Sequence, residues 1–568
     1  MFARLTSTSF QTMMDLTQLF PYSFGPKYSK PIAYFSMEFA IDQSLKIYSG
    51  GLGFLAGSHL RSAYELKQNF IGIGILWKYG YYDQERNMDG TMKASYIEKI
   101  YSFLEDTGIR FNIRIHNHDV KVKAMLLRPE VFGTAPLFLL TTDLPENDHL
   151  AQTISYRLYD SHVSARIAQS SLLGYGGAKL LDIIGRQTDI YHMNEGHGLP
   201  LCFYLWNKYQ SLEEVKKRVV FTTHTPELAG NEEREVSSLE VMSFFDGVQK
   251  EQYEQLLEPE SEVLNYTLAA LRMSKISNGV SQLHGKVAQN MWGQHKNIAP
   301  IRAITNAQNY TYWRDAVMDE AFRKEDSWAQ SVRKVQMKRE LFMHVADQRG
   351  KIFKENVLTI VWARRFAAYK RANLLLHDYE RFYEMVTNKR YPVQIIWAGK
   401  PYPEDATSID IFNDIYRQTR DLPNCTILTG YELGLSRLLK RGSDVWLNNP
   451  RIYREASGTS GMSAAMNGSI NVSIPDGWVP EFARHGENCF VVEPADQSLA
   501  QEEQNSIEAN RLYEVLEKEV IPLYYDRPDR WAQVVRQSWK DVQPRFDSNR
   551  MADEYYQLLY NPETTTKS

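Results

Sequence analysis

Residues 357 to 371 read VLTIVWARRFAAYKR, and the change of character halfway along them decides the fold. The first half is a short apolar run rich in β-branched and aromatic residues, the pattern of a strand buried on both faces of a parallel sheet. The second half brings Arg364, Arg365, Tyr369, Lys370 and Arg371 to the point where such a strand hands over to a helix. Most charge runs are solvated faces. A run at the carboxyl end of a parallel strand instead faces the ligand crevice, where arginine forks onto two phosphate oxygens and lysine adds a point charge. Phosphate binding is therefore expected here.

The same alternation of apolar strand and helical stretch continues downstream through QIIWAGK, CTILTG, DVWLNN and INVSIPDG. It also runs upstream, where PIAYFSMEFA, DIYHMN and RVVFTTH each end in polar residues. Between them, residues 314–350 are polar and helical. Repeated strand–helix units predict an α/β protein of two Rossmann-like, doubly wound domains facing a central cleft. The expected units are 1–305, 306–545 and a C-terminal helix and tail, 546–568.

Bulk composition agrees with this reading. A chain of 568 residues is too long for one core. It is 43% apolar and 24% charged with a formal net charge of −4, which offers no electrostatic footprint for nucleic acid. Three scattered cysteines (Cys202, Cys425, Cys489) form no framework, so a reducing cytoplasm is expected. MFARLTSTSF lacks a long apolar segment and no run reaches membrane-spanning length, so neither secretion nor a membrane partner is expected.

Three further stretches carry candidate chemistry. Ser49-Gly50-Gly51-Leu52-Gly53 lies between a strand and a helix, where glycine lets backbone approach a phosphate; a tight turn would use the same residues. Asn194-Glu195-Gly196-His197 and Thr222-Thr223-His224-Thr225 follow apolar strands and should face the cleft. His192 and His197 are five apart and match no usual metal spacing, so hydrogen bonding to a polyhydroxylated ligand is the better reading and no metal is expected. EASGTSGMSAAMNG, residues 455–468, sets Glu455 ahead of a loop whose Gly458, Thr459, Ser460 and Gly461 could turn N–H groups onto an anion, or could simply let a helix pack closely on a sheet. A carboxylate beside a phosphate site needs another partner, and a sugar hydroxyl is suitable. Phosphate and hydroxyls together describe a sugar phosphate.

At this point the sequence resembles the α-glucan (glycogen, starch, maltodextrin) phosphorylases, especially their short bacterial branch. The motifs that carry the resemblance are AYFSMEF with YSGGLGFLAG, NEGH, VFTTHTP, NGVSQLHG, ITN, ARRFAAYKR, WAGK, DVWLNNP, EASGTSGM and NGSINVSIPDGW, in the same order through most of the chain. The resemblance implies the GT-B fold and reversible, retaining glucosyl transfer between an α-1,4-glucan end and phosphate, giving glucose 1-phosphate. It implies that Arg365 and Lys370 clamp the substrate phosphate, that Glu455 and His224 hold glucose hydroxyls, and that Asn306 is a further sugar contact. Asn194 and Glu195 would serve the sugar, and Gly51 would lie near the reacting phosphates. Arg364, Thr459 and Ser460, with Gly461, would line the pocket for the phosphate of pyridoxal 5′-phosphate or of another donor. A homodimer is compatible with the resemblance.

One residue of the pattern is missing. In the family the methionine of EASGTSGM precedes the lysine that forms an imine with pyridoxal phosphate; here Met462 precedes Ser463, then Ala464 and Ala465. Serine supplies no amine. Pyridoxal phosphate is therefore expected only non-covalently, unless a lysine elsewhere reaches the same aldehyde without displacing the phosphate. Other departures are Ala307, Gln308 and Asn309 after ITN, Asn231 in THTPELAGNE, and Val479 and Pro480 in DGWVPE. Three readings follow: phosphorylase-type transfer, transfer from a nucleotide-diphospho-sugar whose distal phosphate takes the pocket, or an inert glucan-binding relative. The last has no reason to retain Arg365 together with Lys370.

Overall fold

The computed structural model describes residues 18–561. The amino-terminal MFARLTSTSF reading and the last seven residues of the expected 546–568 tail lie outside the described residues. Among those described, no helix is long and apolar enough to cross a membrane.

Two sheets organise the chain, one wholly parallel and one parallel except at one edge. In the second, the strands Leu358–Ala363, Val393–Ala398, Cys425–Leu428, Val445–Asn448, Ile470–Ser473 and Cys489–Val491 are all parallel. Numbered along the chain, they lie in the spatial order 3-2-1-4-5-6, the doubly wound order of dinucleotide-binding folds. Their inner residues are fully buried, as expected for strands covered by helices on both faces.

The first sheet follows the same rule. Its strand Ile32–Phe35 is flanked by Phe70–Ile75 on one side and Ile190–Asn194 on the other, with Val219–Thr222, Ile276–Gly279 and Ile301–Ala303 continuing outward. Beyond Leu137–Thr141 the sheet changes to an antiparallel pair, His118–Leu127 and Glu105–Ile115. The order therefore reverses between Ile32–Phe35 and Ile190–Asn194 in one sheet, and between Leu358–Ala363 and Val445–Asn448 in the other. Carboxyl ends on either side of such a reversal diverge and leave a crevice. Both crevices face the same cleft, and the candidate residues cluster there.

The segment after the long helix Pro528–Phe546 returns to the first sheet. Ser548 Oγ lies 2.6 Å from Ser62 Oγ, and Tyr560 hydroxyl lies 2.6 Å from His192 Nδ1. A hairpin of Asp83–Arg86 and Met92–Ser95 also bridges the units, with Gln84 Nε2 donating to Gly399 O at 3.0 Å and Tyr82 donating to Pro401 O at 2.8 Å.

Candidate active site

A cavity of about 400 Å³ opens between the two sets of strand ends. Gly51, Glu195, His224, Asn306, Arg364, Arg365, Lys370, Glu455, Thr459 and Ser460 all reach its wall. Side chains from both halves of the chain thus share one space.

The cationic side is built from the strand Leu358–Ala363 and the turn Ala368–Lys370. Arg364 continues the sheet, its N–H bonding Ala398 O at 3.1 Å, while its side chain reaches Asn448 across the strand-order reversal. Arg371 has a left-handed backbone (φ 49°) and donates to Asn449 O at 3.1 Å and Pro450 O at 2.9 Å, also pairing with Glu508. It anchors the turn that presents Lys370. The two residues of the expected clamp differ. Lys370 Nζ stands 3.4 Å from a Glu455 oxygen, whereas Arg365 is exposed into the cleft and makes no ion pair among the described residues.

Glu455 is the hinge of this electrostatics. Its Oε2 also lies 2.9 Å from Arg364 Nη2. Burial alone would raise its pKa, but Arg364 and Lys370 outweigh burial and hold the carboxyl below the ordinary range. Asp476 fixes the backbone beneath, accepting the N–H groups of Arg454 at 3.0 Å, Glu455 at 2.9 Å and Gly477 at 2.8 Å. Burial pushes the Lys370 ammonium down to about 7; Arg364 and Arg365 act in the same direction and Glu455 offsets only part of it.

A pH dependence follows. A bound anion favours charged Lys370, so affinity is full below its pKa and falls as pH rises through about 7. Sulfate, whose own charge is constant, should lose affinity at no more than about tenfold per pH unit between about pH 6 and pH 9. Lys370→Met should flatten the profile; a flat profile in the unaltered protein would refute the assignment.

The loop after Glu455 turns at Gly458 (φ 79°) into the helix Ser460–Ala465. The N–H groups of Gly458, Thr459 and Ser460 meet no acceptor among the described residues. Gly461 behaves differently from its neighbours. A Cβ there would sit 2.3 Å from Asn471 Oδ1, so this glycine permits helix-on-sheet packing, and it does not reach the cavity wall. Ser463 is fully buried one turn further on, its Oγ donating to Ser460 O at 3.2 Å.

The hydroxyl-binding side comes from the first sheet. His224 Nε2 lies 2.7 Å from Asn194 Oδ1, and Asn194 Nδ2 donates to Ser36 Oγ at 3.1 Å. With the amide so oriented, Nε2 carries the proton and Nδ1 is left as an acceptor. Burial drives the His224 pKa down to about 3, so the ring is neutral at physiological pH. Asn194 thus stands behind the wall and orients His224. Glu195 has φ 74° and accepts from the N–H of His224, from Thr225 Oγ1 at 3.0 Å and from the N–H of Gly196 at 3.2 Å, so it shapes the loop. Asn306 Oδ1 is buried without a partner, a free acceptor at the cavity wall.

Sequence reasoning missed Glu38. Its carboxylate lies under the glycine loop, accepting the N–H groups of Ser49 at 2.6 Å and Gly50 at 3.1 Å and the hydroxyl of Tyr159 at 2.8 Å. Its place just past the first strand, in FSMEF, is the signal that could have found it. Arg166, paired with Glu232 at 3.1 Å, and Arg454, paired with Glu227 across the rim, were also missed; neither stands in a recognisable motif. Three of the departures from the family pattern are ties within the protein. Gln308 Nε2 donates to Thr459 Oγ1 at 2.8 Å, Asn309 accepts the N–H of Tyr312 at 2.8 Å, and Thr267 donates to Asn231 Oδ1 at 2.6 Å. Among the described residues no three His, Cys, Asp or Glu side chains gather as a metal-ion site.

The geometry suits the phosphate half of pyridoxal 5′-phosphate. Arg364, Thr459 and Ser460 all line the cavity, Arg364 Nη2 lies beside Gly458 of the same loop, and the buried Ser457 Oγ, also in the lining, has no partner. Phe54, Ala363 and Tyr431 line its wall with apolar surface suited to an aromatic ring. Ser463 contributes no amine.

Two crevices joined into one cleft between doubly wound sheets, with a cationic side and a side of hydrogen-bonding groups suited to hydroxyls, define a GT-B glycosyltransferase. The comparisons with known proteins agree. The carbohydrate phosphorylase family matches residues 266–524. The maltodextrin phosphorylase of Thermococcus litoralis is 35% identical over 94% of this chain and 71% of its own length. The glycogen phosphorylase of Aquifex aeolicus is 31% identical over 94% of this chain and 86% of its own. An uncharacterized protein of Methanocaldococcus jannaschii is 47% identical over 94% of this chain and 100% of its own. The chain belongs to the carbohydrate phosphorylase family.

Proposed function

We propose that this cleft transfers a glucosyl unit, with retention, between the end of an α-1,4-glucan and phosphate. The observation that carries the reading is the meeting of Arg365 and Lys370 with neutral His224 and the unpartnered Asn306 in one cavity. Arg365 and protonated Lys370 would hold the substrate phosphate and stabilise negative charge beside an oxocarbenium-like centre. Glu455, His224 and Asn306 would take the glucose hydroxyls and set the ring against the phosphate. The carboxylate pair required by retaining glycosidases has no role in this scheme. Pyridoxal phosphate, when bound through Arg364, Thr459 and Ser460, would supply a second phosphate able to exchange a proton with the substrate phosphate.

The absence of an amine at Ser463 favours one alternative: a nucleotide-diphospho-sugar whose distal phosphate uses the same cations. Incubation with maltodextrin and phosphate should yield glucose 1-phosphate, followed by phosphorus NMR; transfer only from a nucleotide-glucose would replace the first reading with the second. Either donor needs the clamp. Arg365→Ala and Lys370→Ala should each cost about 1.5–3 kcal/mol, roughly 10- to 150-fold, in phosphate affinity by calorimetry. Unchanged affinity in both variants would remove the assignment.

A further inference from the structure

The first sheet has a second polar end, remote from the cleft. Strands Ile32–Phe35, Ile190–Asn194, Val219–Thr222 and Ile276–Gly279 lie side by side, and their amino ends border a cavity of about 630 Å³. Lys30, Asp189, Arg218 and Lys275, each placed just ahead of one of these strands, all line it. The cleft uses the opposite, carboxyl ends, about 13 Å away along a four-residue strand. No residue lines both cavities.

Charge in this second cavity is out of balance. Its lining holds six cations against two carboxylates, Asp182 and Asp189. Three of the cations are satisfied: Lys208 pairs with Asp182 at 2.6 Å, and Lys217 at 2.5 Å and Arg218 at 2.7 Å both pair with Glu214. The half-buried Lys30, Arg186 and Lys275 have no carboxylate partner among the described residues. Lys30 Nζ donates to Tyr560 O at 2.8 Å, and Lys275 Nζ donates to the same oxygen at 3.4 Å. Tyr560 ends the helical run that begins at Ser548, and a helix carboxyl end carries roughly half a negative charge. That half charge faces two full positive ones. Burial, together with Lys30, pushes the Lys275 ammonium down to about 8, and Asp189 offsets only part of this. Arg186 donates to a neutral acceptor, Asn69 Oδ1, at 2.7 Å, and its Nε is buried with no partner. Capping of the helix accounts for one lysine. It leaves the other, and Arg186, without a counter-charge.

We propose that this cavity binds a small phosphorylated molecule or free phosphate, whose oxygens are taken by Lys30 and Lys275 beside Tyr560, with Arg186 lining the same space. A phosphoryl dianion gives both ammoniums a fully charged acceptor at once, and a guanidinium forks onto further oxygens. Lys208, Lys217 and Arg218 keep their own carboxylates and need not move. The bound group bridges the two lysines and pins the helix end at Tyr560 to the strand starts. The site stands apart from the cleft reading, which assigns phosphate only to the carboxyl ends of the strands.

The test is a titration of the full-length protein with inorganic phosphate and with glycerol 3-phosphate, followed by calorimetry. A second site per chain is expected beside that of the cleft. Lys30→Gln combined with Lys275→Gln should weaken one site by roughly tenfold or more and spare the other, and Arg365→Ala combined with Lys370→Ala should do the reverse. A single site that only the cleft substitutions remove overturns the proposal and keeps the cleft reading. A single site that only the Lys30 and Lys275 substitutions remove supports the proposal and overturns the cleft reading. Acetylation of the unaltered protein, mapped by mass spectrometry, gives a second measurement however the variants fold. Saturating phosphate should remove most of the label from Lys30 and Lys275, and unchanged labelling overturns the site. Tighter binding of glycerol 3-phosphate than of phosphate assigns it to an organic phosphomonoester, and the reverse order assigns it to the free ion.

Discussion

Replacing Glu455 with leucine is expected to lower the free energy of unfolding by about 3–5 kcal/mol, because it strands buried charge that the carboxylate now balances. Arg364 at 2.9 Å and Lys370 at 3.4 Å share this one acceptor, with side-chain exposures of 3%, 11% and, for Glu455 itself, 9%. Lys370 can shed its proton, but the Arg364 guanidinium cannot. Urea unfolding would measure the loss, and saturating phosphate should restore much of it by returning a negative charge to the same cations. The pH dependence has a definite sign. The Glu455 carboxyl is held below its unfolded pKa, so its contribution is present above the ordinary carboxylate range and disappears as pH falls through the folded value. The leucine variant should lack that part of the acid limb. Glu455→Gln keeps the shape and is expected to bind phosphate more tightly than the parent while binding glucose more weakly. If leucine at 455 leaves stability unchanged, this carboxylate does not balance the cations.

The second large effect is expected at Gly399, which contains no functional group. Its φ is 153°, and a Cβ would lie 1.8 Å from Arg364 O, the backbone that aims both arginines. Gly399→Ala should cost about 2–5 kcal/mol in stability through backbone strain and overpacking together. It should also weaken phosphate binding without touching a ligand group, since Arg364 and Arg365 must move. Gly350→Ala is the control: φ is 63° there, at a helix end, but nothing lies within 4 Å of the added carbon. Its cost should be limited to the left-handed backbone, about 1 kcal/mol, with phosphate affinity retained. Equal effects from the two alanines would show that contact with Arg364 O is irrelevant.

Much of this is legible in the chain of residues alone. VLTIVW, QIIWAGK and DVWLNN declare buried parallel strands because apolar runs bounded by polar turns have few other stable uses. Strand ends of such sheets collect ligands, so ARRFAAYKR, NEGH and TTHT fall at a cleft by rule. The four-residue anion loop is only partly legible. Small residues suit both N–H presentation and close packing, and Gly461 belongs to the second use, against Asn471, while Gly458, Thr459 and Ser460 reach the cavity. Of Asn194 and Glu195, expected at the sugar, Glu195 lines the cavity while Asn194 does not, and the bonds both make to His224 and its loop are not legible in the sequence.

By itself, then, the sequence determined the α/β class, the two strand–helix series, the strand-end position of the cations and the lack of an amine at Ser463. These follow from local periodicity and from the chemistry of single residues, which need no knowledge of distant neighbours. Only the tertiary structure decided the 3-2-1-4-5-6 strand order that opens both crevices, the sharing of Glu455 between Arg364 and Lys370, the support of the glycine loop by Glu38, and the meeting of Lys30 and Lys275 on Tyr560 O. Those contacts join residues far apart in sequence. Their energies depend on which groups burial leaves paired and which it leaves alone, and no local pattern records that.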